Sequence, residues 1–582
     1  MSKITKVATK KKLFLLPEID FFPLDKINKD FFFSEKLNKT QKKNIIKNQI
    51  IFKKFLKKLS KELNKIHNVN YSERFWNILM GHWLEAYINT IYRQYTNIKY
   101  CIDHKYKKKN IVKIKNFNFT IHGTEDFYWI TNNYDWNQKI FIHINNKLNK
   151  NKISEKKIDI SSKNFEIKKN PIKYRFKFRS YLKIIYNYIC EVFTSNYEPL
   201  IIGTCLNKVD DFFLKLNFSI LPKYWLNRNF IRVKKDKKMR EMFKSAFKYK
   251  NKNILEGILC NLIHENIPTC LLEGFKKNLS HAKSLPWPKH PKFIFTSNNF
   301  CTDEIFKLYT AMRCEENIKY FVGQHGNIYG THLEAKNITE IVTSDKFLSW
   351  GWKDDKKIIP TYMFSKSKTK IAKSNNDKIL FIVKPHLHNI ITYNIYGNMI
   401  FKLKKNIELI NNLDDEIKKK ISIRILPSQT KPEFKNFFIK NNLFFLDQEY
   451  YFQKYIKNIR FDRRNIKLED TFKDYGLIIH SYDGTSFNET MYHNIPSLGI
   501  WYSKLDNYNV NTKKIYKDLQ KNKVIHFNNN SIIKFLNNKE NQDILSWWNN
   551  EKVKKSINNY QKNYANNNIQ NIKLSKILNK LI

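Results

Sequence analysis

No apolar run in this 582-residue chain reaches the roughly 18 residues that a membrane-spanning helix needs. The nearest candidate, Tyr181 to Phe193, is short and interrupted by Lys183 and Glu191. A secretory signal is missing too: the basic start, Met1 to Lys12, leads into only Leu13 to Leu16 before Pro17 and Glu18. These absences predict a cytoplasmic protein. Cysteine is scarce, with seven residues and no CxxC pair, which argues against a disulfide framework and a zinc site. The GxxxxGKS/T loop, GxGxxG, HExxH and GxSxG do not occur. P-loop hydrolysis, dinucleotide redox chemistry, zinc proteolysis and α/β-hydrolase chemistry therefore lose their signatures. Nothing calls for a metal. Acidic residues are also few, 52 against 106 Lys and Arg, leaving a net charge of +54. Three partners suit such a surplus: nucleic acid, an anionic membrane surface, or phosphorylated and acidic small substrates. Lysine, asparagine and isoleucine are over-used everywhere, so a solvated face is an equally ordinary account of the charge.

Apolar residues at 42% and aromatics at 15% are enough for two cores, and the chain is too long for one. A basic amphipathic helix is expected over about Gln41 to Ile66, with Phe52, Phe55, Leu56, Leu59, Leu63 and Ile66 on its apolar face. That face can pack on its own domain or lie on anionic lipid. A second helix, about Ser72 to Tyr95, carries the stripe Trp76, Leu79, Trp83, Tyr87 and Ile91. In the lysine-rich stretch Lys105 to Asn170, Phe117 to Ile121 and Ile140 to Ile144 alternate as strands do. A helix near Tyr181 to Phe193, a buried strand Leu200 to Thr204 and a helix Asp210 to Leu216 follow. Strand Phe293 to Thr296, helix Thr302 to Arg313 with Thr302 and Asp303 as caps, and strand Tyr320 to Val322 imply a right-handed parallel crossover.

After a polar stretch, Lys366 to Asp377, the pattern restarts. Strands are expected at Ile379 to Val383, Ile421 to Leu426, Leu443 to Leu446, Leu477 to His480 and Ser497 to Trp501. Helices are expected at Ile400 to Lys419, before Tyr475, at Phe487 to His493 and at Trp547 to Leu581. The fold class is thus α/β, with two Rossmann-like domains facing one cleft: 1–365 with helical additions, a linker 366–377, and 378–546. A C-terminal helix, 547–582, packs back on the first domain.

Ligands of open parallel sheets bind beyond the carboxyl ends of strands, which is where Gln324-His325-Gly326 falls. An imidazole there can act as base, acid or phosphate ligand, or simply brace a turn. Glu334, Glu340 and Asp345 follow within twenty residues, and spacing alone does not choose among these carboxylates. In the second half, His480 to Glu489 joins a strand to a helix. Gly484 permits a tight turn, and Thr485 and Ser486 offer a helix start to phosphate. Glu489 can meet ribose hydroxyls, although Ser486 with Glu489 equally fits a capping box. Arg424, a charge in an apolar strand, and Lys384 of Lys384-Pro385-His386 are candidate phosphate cations.

Three blocks carry a family resemblance. They are Arg74-Phe75-Trp76-Asn77-Ile78-Leu79 with Gly81-His82-Trp83-Leu84; Gln324-His325-Gly326 to Tyr329-Gly330 with Ser344-Asp345 and Trp350-Gly351-Trp352; and Thr485 to Glu489 with Asn494-Ile495-Pro496. In order and spacing they span nearly the whole chain, which resembles the transferase family encoded in O-antigen and other surface-polysaccharide clusters. His82 and Asn327 depart from that pattern, standing where a proline and a second glycine are common. The resemblance implies a GT-B-like architecture and transfer of a sugar from a nucleotide-activated donor, some such donors being cytidylyl, to a glycan or lipid-linked acceptor. No cofactor is implied. Peripheral attachment to the inner membrane face is compatible with it. A polyol-phosphate transferase is a same-fold alternative. A basic nucleic-acid-binding protein is the alternative of another class, weakened because the charge follows no binding module. The expected site comprises His325, Glu334 and Asp345 as catalytic groups and Gln324, Gly326, Lys384, Arg424, Thr485, Ser486 and Glu489 around the donor.

Overall fold

A computed structural model describes residues 41–103, 111–112, 118–148, 155–156, 178–221, 229–247, 253–335, 337–364, 371, 374, 376–385, 397–443, 445–502, 505–541, 543–567 and 573–582. The expectations for Met1 to Lys12, Leu13 to Leu16, Phe117, His386 and most of 366–377 lie outside the described residues. Two helices open the described chain, α1 (Gln41–His67) and α2 (Glu73–Asp103). Ile51, Phe55, Leu56, Leu59 and Leu63 of α1 are buried against α2, so this face packs on protein. On α2 the stripe Trp76, Leu79, Trp83, Tyr87 and Ile91 is core, and Gly81 lets Thr339 approach. A Cβ at Gly81 would stand 2.6 Å from Thr339 Cγ2.

Ile140 to Ile144 is part of a helix, α3 (Tyr134–Leu148), not a strand. Trp136, Ile140, Phe141 and Ile144 are the buried apolar positions, a helical spacing that outweighs the short alternation. Next come α4 (Phe178–Val192) and α5 (Lys208–Leu216) on either side of an edge strand.

That strand belongs to a five-stranded parallel sheet in sequential order: β1 (Leu200–Ile201), β2 (Phe293–Thr296), β3 (Lys319–Gly323), β4 (Lys346–Ser349) and β5 (Ile358–Pro360). Between β2 and β3 runs α6 (Glu304–Glu315), capped by Asp303, whose side chain accepts from Phe306 N–H. Continuous burial of β2 and near-continuous burial of β3 reflect helices on both faces.

The second sheet contains β6 (Ile379–Ile382), β7 (Ile421–Arg424), β8 (Arg460–Phe461), β9 (Leu477–His480), β10 (Ser497–Ile500) and β11 (Ile525–His526), all parallel. Their spatial order is β8-β7-β6-β9-β10-β11. Counted along the chain, this is the order 3-2-1-4-5-6 of a doubly wound nucleotide-binding sheet, whose winding reverses between β6 and β9. The ligand crevice of such sheets lies at that reversal. Among the described residues the molecule is mixed α/β, with two large parallel sheets, the layer plan of GT-B-like folds, and a separate parallel pair of two-residue strands, Ile111–Val112 and Glu155–Lys156.

Several expected elements differ. Leu443 makes only an isolated bridge to Asn133, and the third strand is Arg460–Phe461. Leu443 and Leu446 are buried while Phe445 packs on Phe434 and Phe438, so this apolar run fills a cluster instead of a ladder. The helix expected over 400–419 is two, α7 (Gly397–Asn411) and Asp415–Lys420. The stretch before Tyr475 is 3-10, Glu469–Asp474.

The turn after β9 leads into α8 (Thr485–Tyr492), and α9 (Val510–Lys521) precedes β11. Beyond these, 547–582 is divided among α10 (Ile544–Asn549), α11 (Glu551–Tyr564) and α12 (Leu574–Asn579). Asn550 ends α10 and caps α11 by accepting from Lys552 N–H. α11 packs on α8 and α9. Just past it, Asn566 N–H donates to Trp350 O, and Leu574 and Leu578 join the core of the first sheet.

Candidate functional site

The turns at the carboxyl ends of β3 and β9 meet. Asn327 Nδ2 donates to Asp483 Oδ1, Tyr516 OH donates to Asp483 Oδ2 at 2.8 Å, and His332 Nε2 stands 3.9 Å from the same oxygen. A Cβ built at Gly326 would be 3.7 Å from Thr485 Oγ1, so the Gln324-His325-Gly326 turn faces the start of α8. Gly323 serves packing: a Cβ there would lie 2.4 Å from Ser297 Oγ and 2.7 Å from Phe364 Cζ.

On the first-sheet side a hydrogen-bonded relay runs inward from His325. Its Nδ1 is 3.3 Å from Tyr329 OH, Tyr329 OH donates to Glu340 Oε1, and His82 Nε2 lies 3.0 Å from Glu340 Oε2. A tyrosine hydroxyl has one proton, and here Glu340 takes it, so His325 donates from Nδ1 and keeps its Nε2 lone pair free. Burial lowers the pKa of the His325 imidazole, with Glu340 opposing and His82 assisting. Burial also works against the charge of Glu340, but hydrogen bonds from His82 and Tyr329 hold it below the usual carboxylate range. Phe300 lies between His82 and His325, 5.5 Å from each ring centre, stacked on the first and tilted against the second.

Cations gather on the opposite wall. Lys384 follows β6, and Lys402 projects from α7. Both keep part of their surface open. Burial lowers the pKa of Lys384, offset by Glu334. Lys402 is pushed down to about 7 by burial and by Lys384, with Asp483 opposing. Burial lowers His332 too, between Asp483 and Glu334 on one side and the two lysines on the other. Beside them the N–H groups of Gly484, Thr485 and Ser486 have no partner among the described residues, leaving the positive end of α8 open.

Several expected site residues take other duties. Gln324 is spent inside the protein: Oε1 accepts from Trp350 N–H at 2.9 Å and Trp352 Nε1–H at 2.8 Å, while Nε2 donates to Gly326 O. This coupling explains why the Gln-His-Gly and Trp-Gly-Trp segments occur together. Arg424 is 5% exposed, paired with Asp462 at 3.2 Å and bonded to Ile466 O, so its charge is neutralised away from the crevice. Asp345 binds Arg74 at 2.8 Å and accepts from Tyr320 N–H. It therefore sits at the opposite end of β3 from His325, five residues or roughly 16 Å away. Ser486 Oγ is bonded to His480 Nδ1 at 3.0 Å, and burial holds His480 neutral with a pKa near 3. Its hydroxyl is occupied and only its amide is open. The capping box does not form, because Gly484 is the N-cap. Glu334 is half-buried near Lys384, and half-buried Glu489 lies one turn into α8. Sequence reasoning missed Lys402 and His332, which carry no local motif, named no role for Asp483 within the His480 to Glu489 turn, and passed over Glu340 and His82. Among the described residues no group of three His, Cys, Asp or Glu side chains could hold a metal ion, and no helix is long and apolar enough to cross a membrane.

None of the curated proteins compared matches the chain. Among solved structures, a 2.2 Å crystal structure from Listeria monocytogenes, described as a UDP-N-acetylglucosamine 2-epimerase, is similar at 13% identity and a TM-score of 0.33. The match covers 64% of this chain and 92% of that one. A model of one enzyme family matches residues 27–578, and by that match the chain belongs to the LIC12162 family of transferases.

Proposed function

We propose that this transferase moves a sugar from a nucleotide-activated donor to a hydroxyl of a glycan or lipid-linked acceptor in surface-polysaccharide assembly. The observation that carries this reading is the pair Lys384 and Lys402 beside the open amides of α8, at the point where the winding of the second sheet reverses. A diphosphate there meets two cations and a helix start. Its negative charge restores the full charge of Lys402 and grows in the transition state as the sugar departs, so the same contacts favour the reaction as well as binding. Glu489 is suited to the ribose. From the other wall, His325 accepts a hydrogen bond from the acceptor hydroxyl at Nε2, with its ring fixed by Tyr329 and Phe300. A lipid-linked acceptor suits α4 and α5, which expose Tyr188, Ile189, Val209 and Phe213 near the edge of the first sheet. Binding to phosphatidylglycerol vesicles tests that attachment, and none should be seen with neutral vesicles if charge contributes.

A melting-temperature screen with UDP, CDP and the monophosphates tests the donor site, since a ligand of the folded form raises the transition. Stabilisation of the native protein, lost in Lys402→Met, is expected. Absence of any shift at millimolar nucleotide overturns the reading.

A further inference from the structure

A buried carboxylate stands behind the His325 turn with no part in the chemistry above. Gly81 lets the helix Thr339–Thr343 close on α2, and the residues next to that contact, His82 and Glu340, meet at 3.0 Å. Glu340 Oε1 accepts from Tyr329 OH, whose oxygen in turn receives His325 Nδ1–H at 3.3 Å. Phe300 and the Tyr329 ring, 5.5 and 5.4 Å from the imidazole centre, restrict its rotation. His82 takes the other carboxylate oxygen through Nε2, and its Nδ1 is buried without a partner among the described residues. A protonated His82 would leave an Nδ1–H unsatisfied there. The neutral Nε2–H form is therefore the one that fits, and the charge of Glu340 is not cancelled.

In sugar transfer a lone pair of the acceptor oxygen forms the bond to the anomeric carbon. The bond from that carbon to the phosphate oxygen breaks with its electrons leaving on the nucleotide, and the acceptor proton passes to His325 Nε2. The imidazole then carries a positive charge in a setting where burial disfavours it. We propose that Glu340 is a positioning residue for this step: through Tyr329 OH it holds His325 in the Nδ1–H tautomer and supplies the negative charge that offsets the imidazolium. No proton travels along the relay, since Tyr329 keeps its own. This role rests on the sugar-transfer reading.

The surroundings leave Glu340 as the counter-charge. Besides His325 and Tyr329, the titratable groups that feel it are His82 and Glu85 of α2, Tyr128 of helix Thr124–Ile130, Cys301 beyond β2 and Tyr320 of β3. Burial raises the pKa of Glu85, Tyr128, Cys301, Tyr320 and Tyr329 and so favours their neutral forms. Glu340 alone is held charged against burial, by its hydrogen bonds. A carboxylate bonded directly to its histidine is worth about ten-thousandfold in kcat. With a hydroxyl between them and the base still in place after substitution, about tenfold is expected here.

The test reads His325 directly. In substrate-free protein carrying isotope-labelled histidine, its nitrogen NMR signals are identified by their loss in His325→Ala. The native protein should show a protonated Nδ1 and a bare Nε2, and Glu340→Gln should move the titration of His325 to lower pH, because a charge that favours the imidazolium is gone. Tyr329→Phe, which removes only the hydroxyl, covers the case in which Glu340→Gln does not fold, and it should mix the two tautomers. Nucleotide release is then followed from UDP-N-acetylglucosamine and from a cytidylyl probe, CMP-N-acetylneuraminic acid. Each variant should lose about tenfold in kcat with KM unchanged, and the double variant should lose no more than the worse single one, because both act through one bond. A bare Nδ1 in the native protein, an unmoved His325 titration in folded Glu340→Gln, or losses that multiply in the double variant overturns the assignment. Failure of the native protein to bind any nucleotide overturns the donor reading instead, while the histidine titration still decides the hold of Glu340 on His325.

Discussion

The two walls of the crevice are chemical opposites. The first sheet presents imidazoles and carboxyls joined through Tyr329, groups that hold or pass protons. The second presents lysines and unsatisfied backbone amides, groups that hold phosphate. On the proposed reading each wall serves one half of the transfer. Asp483 marks the seam, belonging to the second half by sequence and bonded to Asn327 of the first.

This division predicts separable losses. Replacing Lys384 and Lys402 together by Met should weaken UDP or CDP binding by a hundredfold to a thousandfold on the order of charge-assisted contacts, measured by calorimetry. The same wall sets a pH signature. Lys402 has a folded pKa of about 7 against an ordinary 10.5, so the free protein loses that charge as pH rises past 7 and nucleotide binding must then take up a proton. Affinity should fall by up to about tenfold per pH unit above 7, and calorimetry in buffers of different ionisation enthalpy will detect the uptake. Between these two pH values the unfolded chain holds more protons than the folded one, so stability without ligand rises with pH. A pH-independent affinity would remove Lys402 from the phosphate site.

A smaller loss is expected at the other wall. His325→Ala should lower turnover about a hundredfold with nucleotide affinity and melting temperature nearly unchanged. An unstable but active variant would make His325 a turn-brace and erase the contrast. Asp345→Asn should have the least effect on chemistry: about 1–2 kcal/mol of stability from the weakened Arg74 and Tyr320 contacts, seen in urea unfolding, with turnover preserved. A folded, inactive Asp345→Asn would restore it to the site.

What the sequence made legible follows from the range of the physics involved. Apolar periodicity is local, and it located α1, β2, β3, β6 and β9 and the start of α2 to within a few residues, while α2 runs eight residues past its expected end at Tyr95. It misread Ile140 to Ile144, where a five-residue alternation sits on a longer helical stripe, and Leu443 to Leu446, where aromatic packing outcompeted pairing. The turn after β3 was visible because a strand end, an imidazole and glycines adjoin in sequence. The partners of that turn were not. Glu340 was one of three carboxylates at similar spacing, and only the fold brings His82, 258 residues earlier, to its oxygen. Arg424 and Gln324 looked functional because an isolated polar group in an apolar setting suggests a ligand, yet Asp462 and the Trp350 segment satisfy them internally.

The stitch between Asn566 and the first sheet bears on how this protein is made. Asn566 N–H donates to Trp350 O, its carbonyl accepts from Met363 N–H, and Gly351, at φ +127°, leaves room for Lys562 O at 2.3 Å from where a Cβ would stand. The first sheet thus receives its last backbone partners about 200 residues after β5 has left the ribosome, an interval of roughly 10 to 40 s at about 5 to 20 residues per second. During that time the nascent first half carries an open backbone group at Trp350 and uncovered core positions later filled by Leu574 and Leu578, so its apolar surface stays partly open to solvent until translation is nearly complete.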